Sequence, residues 1–203
     1  MPKSELNRVK GEFKQHMEKS FRLIQSINKA QPPLPQDQIY MIYELSFLRI
    51  FLSWEWFIES TFILYMLGSK TDTGYSPKVY VSPKDQNHAY QFVKEGRDYA
   101  DWTSPDVVIR KSSLFFKDGK PYKDTFEPII REIQDLKTIR NAVVHMSAEA
   151  REKFKTLVRS KLGYVKTTNT PGEFLATAVK GKSLPYITYF KDLLELASER
   201  IVK

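Results

Sequence analysis

The sequence predicts an all-α protein, a helical bundle of about five helices with a loop-rich central stretch. Three observations predict it. Long runs place apolar residues at three-to-four spacing, the period of one helix face. Proline and glycine clusters fall between those runs rather than within them. The chain has 203 residues, 41% of them hydrophobic, enough for one sizeable core and cramped for two, so a single domain over 1–203 is expected. Residues 68–123 are the segment its pattern defines least.

The first run, "KSELNRVKGEFKQHMEKSFRLIQSINKA", sets Leu6, Val9, Phe13, Met17, Phe21, Ile24 and Ile27 on one stripe. "QPPLPQ" ends it, because proline cannot donate to the helical ladder. A long helix is expected from Gln38 to Leu67, stopping at Gly68. It is interrupted by Glu44, Arg49, Glu55 and Glu59, so it is no membrane span. "GSKTDTGYSPKVYVSPKDQNH" reads as a loop with a short strand at "KVYV", followed by short helices around Tyr90 to Gly96 and Pro105 to Phe116. After the turn "KDGKPY", a helix is expected from Asp124 or Thr125. Its buried stripe is Phe126, Ile129, Ile130, Ile133, Leu136, Ile139, Val143 and Val144. Ser147 looks like the N-cap of "AEAREKFKTLVRSKLG", with Gly163 at its end. A polar loop, "YVKTTNTPGEF", and a helix around "LPYITYFKDLLELASERIVK" close the chain.

Composition bounds the function. No cysteine is present, which excludes a disulfide framework, a thiol nucleophile and a Cys-ligated metal centre. The charged N-terminal run has no apolar signal-peptide core, and a reducing cytoplasm is the expected compartment. A formal charge of +8 favours a polyanionic partner, although an ordinary basic surface gives the same count. There is no phosphate-binding "GxxxxGK[ST]" loop. No cofactor is expected, and no credible metal-ligand set accompanies the motif below.

Chemistry concentrates in "IRNAVVHM", Ile139 to Met146. Asn141 and His145 are four apart and so share a face about 40° wide. Arg140 starts further round, but its long side chain reaches the same rim. Ile139, Val143 and Val144 are expected to anchor the opposite side in the core. His145 near a helix C-terminus lies where the macrodipole favours an imidazolium. A lone histidine in such a place is more often structural; three converging polar groups weigh the other way. On the long helix, Glu55 sits roughly 20° from Glu44 on the wheel, with Glu59 a further 40° round. Leu48, Phe51, Leu52 and Phe62 flank them, and a carboxylate among such neighbours needs a partner. Either that strip reaches solvent between helices, or Glu55 meets an arginine of the motif helix.

The run "FEPIIREIQDLKTIRNAVVHMSAEAREKF" resembles the motif helix of the HEPN superfamily, whose signature is Arg, a polar residue, a few spacers and His. "LSWEWFIESTF" is similar to the earlier HEPN helix in which a Trp–Glu pair opens "WE-x-F-[IL]", here Trp54, Glu55, Phe57 and Ile58. The resemblance spans roughly Gln38 to Leu157. Residues 68–123 match nothing in that pattern.

It implies a metal-independent endoribonuclease working as a homodimer, with the motif helices of two subunits facing each other across one RNA cleft. His145 would then serve in general acid–base catalysis, Arg140 would hold the phosphate, and Asn141 would orient the histidine or a phosphate oxygen. Glu55 would support Arg140 or Asn141. Expected products are a 2′,3′-cyclic phosphate and a 5′-hydroxyl, and DNA should not be cut. The resemblance further implies a prokaryotic toxin or antiphage effector, restrained by an antitoxin or sensor protein. The alternative is a non-catalytic HEPN-like scaffold, or an RNA- or partner-binding module.

Overall fold

The structure is a computed structural model that describes residues 4–27, 30–164 and 170–203. The chain is all-α. Its helices are α1 (Glu5–Ile27), α2 (Gln36–Met66), α3 (Gln86–Lys94), α4 (Pro105–Phe115), α5 (Tyr122–Phe126), α6 (Ile130–Val144), α7 (Ala148–Leu162), α8 (Pro171–Ala176) and α9 (Tyr186–Ile201). Among the described residues no helix is long and apolar enough to cross a membrane.

Two compact units divide the chain. One comprises Met1–Lys14, Trp54–Gln134 and Glu195–Lys203; the other comprises Gln15–Ser53 and Asp135–Leu194. The helices α1, α2, α6 and α9 each contribute residues to both.

The first unit is held by aromatic packing. Trp54 stacks on Phe57 at 5.6 Å and on Phe126 at 5.8 Å, with Phe13 tilted against it at 5.7 Å. Phe62 meets Phe116 at 4.7 Å and Tyr122 at 5.0 Å. Buried hydroxyls in this cluster are satisfied, as burial demands: Tyr122 donates to Thr61 Oγ1 at 2.9 Å and Tyr65 to the Ile201 carbonyl at 2.7 Å. Burial pushes both phenols above their ordinary range. So Trp54, Phe57 and Ile58 of the Trp–Glu segment are core residues.

The middle of the chain holds the two short helices that the sequence predicts, with three corrections. The expected strand at "KVYV" is only an isolated antiparallel bridge between Val79 and Phe116. The expected helix at Tyr90 begins earlier, at Gln86, because Asp85 caps it by accepting from the His88 amide at 2.8 Å. The helix expected from Asp124 is interrupted: α5 gives way to a 3₁₀ turn over Glu127–Ile129 at Pro128, and α6 starts at Ile130.

Three charged side chains lock α3 to α4. Glu95 adopts φ +52° at the end of α3. Its carboxylate accepts two hydrogen bonds from Arg110, at 2.8 and 2.7 Å, and one from the buried Lys111 at 2.8 Å. Lys111 also donates to the Val93 carbonyl.

In the second unit, Phe174 stacks on Tyr186 at 4.3 Å and meets Phe154 edge-on at 6.0 Å. Phe174 lies on α8, where the sequence reading expected loop. Thr170 caps that helix by accepting from the Glu173 amide, and Pro171 fits its first turn; the preceding 165–169 lie outside the described residues. Gly172 is obligatory there: a Cβ would meet the Tyr40 carbonyl oxygen at 2.2 Å, and its amide donates to Glu44 Oε1 at 2.9 Å. The caps expected for α7 are in place, with Ser147 accepting from the Ala150 amide and Gly163 at φ +81°.

Two stability outcomes are expected. Gly172→Ala should cost about 2 kcal/mol, because the clash is with backbone rather than a yielding side chain; urea denaturation checks it. The Arg110 and then the Lys111 hydrogen bonds hold the Glu95 carboxyl at about 2, below the ordinary 4.5. The stabilisation from that depression is fully present above the ordinary value and is lost as pH falls towards the depressed one. The stability gap between wild type and Glu95→Gln should therefore narrow as urea titrations move from pH 4.5 to pH 2.

Candidate functional site

The candidate site is built where α6 runs out. Ile133, Leu136 and Ile139 are buried and set the rotation of the helix. Arg140 and Asn141 are half-buried on the adjoining face. The helix ends at Val144, and the His145 amide still closes the last turn by donating to the Asn141 carbonyl at 2.8 Å. His145 thus stands one residue past the helix with an exposed imidazole.

All three motif side chains converge. Arg140 Nη1 donates to Asn141 Oδ1 at 3.1 Å and approaches His145 Nε2 at 3.4 Å. A guanidinium can only donate, so a hydrogen bond there needs the His145 Nε2 as its acceptor. Arg140 Nε is buried with no hydrogen-bond partner among the described residues. A charged donor in that state is costly.

Beside the motif lies a half-open hollow of about 160 Å³. Thr138, Asn141 and His145 line one side of it, and Ser147, Glu149 and Lys153 the other. Lys153 donates to Glu149 Oε1 at 2.6 Å, one helical turn back along α7. That hydrogen bond, with the lysine charge, holds the Glu149 carboxyl below the usual range. Thr138, Glu149 and Lys153 are not singled out by the sequence reading. The available signal was spacing alone: Thr138, Asn141 and His145 follow i, i+3, i+7, and Glu149 and Lys153 follow i, i+4.

One expectation about the surroundings needs correction. Val143 and Val144 do not anchor the motif in the core: Val143 is half-buried and Val144 is 44% exposed. The helix ends there, so no following turn covers them, and Ile139 anchors this end of the helix with Leu136 and Ile133 behind it. On α2, the carboxylates that share a face meet different surroundings. Glu44 and Glu59 are half-buried, and burial raises both above the ordinary carboxylate range. Each has its own local partner, the Gly172 amide for Glu44 and Tyr90 for Glu59. Glu55 is half-buried on α2 in the first unit.

Among the described residues no three His, Asp or Glu side chains group as metal ligands. The chain matches no protein-family model, no curated protein and no solved structure.

The α7 cap is testable at this site. Ser147→Ala should lower stability by about 1 kcal/mol through loss of the Ala150 hydrogen bond, read as a reduced denaturation midpoint.

Proposed function

We propose that the protein is a metal-independent endoribonuclease of the HEPN kind, acting as a homodimer on single-stranded RNA. The observation that carries this reading is the convergence of Arg140, Asn141 and His145 within hydrogen-bonding distance at the end of one helix. Those groups supply what RNA transesterification needs without a metal. The 2′-hydroxyl attacks the adjacent phosphorus and gives its proton to a general base, the role this reading gives to His145. A P–O2′ bond forms and the P–O5′ bond breaks. The departing 5′-oxygen takes a proton from a general acid, and the planar guanidinium of Arg140 holds the charge that builds on the phosphoryl oxygens. Asn141 keeps Arg140 in register through the 3.1 Å hydrogen bond. The products are a 2′,3′-cyclic phosphate and a 5′-hydroxyl.

A second copy supplies the second histidine, since one helix end holds one. Apolar surface on the second unit supports such an assembly. Met41, Leu45 and Leu52, 58%, 50% and 48% exposed, recur at helical spacing on one side of α2. A twofold contact through this stripe would be isologous. The basic balance of +8 suits RNA. The supporting role that the resemblance implies for Glu55 belongs to this reading. So do a cytoplasmic site of action, a toxin or antiphage role, and restraint by an antitoxin or sensor protein.

His145→Ala and Arg140→Ala should each reduce RNA cleavage by more than a hundredfold, with circular dichroism unchanged. Cleavage should survive EDTA and leave 2′,3′-cyclic ends, read by mass spectrometry. Full activity in either variant would remove the catalytic assignment and leave a binding module. Leu45→Glu should shift sedimentation from dimer to monomer and abolish cleavage together; an active monomer would overturn the composite site.

A further inference from the structure

We infer that Lys153 is a further substrate-binding residue, which holds the RNA phosphate next to the scissile one and exchanges Glu149 for it. The inference rests on the ribonuclease reading and extends its site from three residues to a hollow. Lys153 lines the same hollow as Asn141 and His145, so a strand whose scissile phosphate lies at His145 carries its neighbouring phosphate past the lysine.

The present partner of Lys153 explains how it is kept ready. Its ammonium rests 2.6 Å from Glu149 Oε1, and the two side chains are 67% and 76% exposed. An ion pair so open to water contributes little, and salt screens it. Replacing its carboxylate by a phosphate oxygen therefore costs little and returns a charge-assisted hydrogen bond. Glu149 has a reason to stay when displaced: it occupies the first turn of α7, where the helix dipole favours a negative charge. The carboxylate also disfavours anions at the hollow's mouth, so the pair screens out ligands too weak to displace it. Thr138, on the opposite wall, places a hydroxyl within the same enclosure.

The test uses a fluorescent 2′-O-methyl RNA oligonucleotide, which keeps every phosphate and lacks the attacking hydroxyl. Anisotropy across a salt series should show Lys153→Ala binding three- to tenfold more weakly, with the log–log salt slope reduced by about one. Lys153→Arg should restore most of the affinity. Glu149→Gln should tighten binding, because the competing carboxylate is gone. With cleavable RNA, Lys153→Ala should raise KM far more than it lowers kcat. Unchanged affinity and slope in Lys153→Ala would overturn the inference. So would Glu149→Gln weakening binding as Lys153→Ala does, which would make the pair a structural brace. If wild type cleaves RNA and Lys153→Ala cleaves and binds as wild type does, this inference alone falls. Wild type that neither binds nor cleaves RNA would remove the ribonuclease reading with it.

Discussion

The candidate site depends on the burial of Ile139. With none of its surface exposed, this side chain fixes the rotational phase of α6 in its last turns. Residues on a helix are about 100° apart, so once Ile139 points inward, Arg140 lies on the flank, Asn141 falls on the outer side and His145 falls near Asn141. Leu136 and Ile133, one and two turns back, enforce the same phase. The inward residues decide which way the three polar groups face, while their spacing along the helix brings Arg140 Nη1 onto Asn141 and His145.

A second constraint is the handling of charge. A basic chain still carries 24 acidic residues, and several are partly buried. Each needs an answer to its desolvation cost. Glu95 finds two cations and drops to about 2. Glu44 finds only a backbone amide, and Glu59 a phenol and a nearby lysine, so burial prevails and both rise. Glu149 remains in water and its partner is a single lysine. The same carboxyl group thus shifts down or up according to the cations it meets and the water it loses.

Much of this was legible in the sequence, because the signals were local. The helix starting at Ala148 announced itself by Ser147 and Gly163, and both caps are in place. The i, i+4 relation of Asn141 and His145 survives in the turn closed by the His145 amide. What failed depended on contacts distant in sequence or on cap residues read as loop. Asp85 was passed over as part of a polar loop, although its carboxylate starts α3. "PGEF" carries Pro and Gly and looks like a break. It is helix α8 because Thr170 caps it and because only a glycine fits against the backbone of Tyr40. Val144 was assigned to the core from periodicity, but periodicity cannot say that the helix stops at that residue. Lys153 carries no signal in the sequence beyond its i, i+4 spacing from Glu149.

The end of α6 also holds the motif's arginine in place. Its Nη1 is already committed to Asn141 and His145, which limits rotation of the guanidinium and fixes the plane of its fork. Its Nε is buried without an acceptor among the described residues. A guanidinium held in this way gives up side-chain freedom during folding. The cost sits in the folded protein as an under-satisfied donor, and it is tolerable because Ile139 and Leu136 hold the helix in place regardless of what Arg140 does. Stability and site chemistry are thus carried by different residues of the same helix, the inward ones securing the fold and the flanking ones left free to be costly.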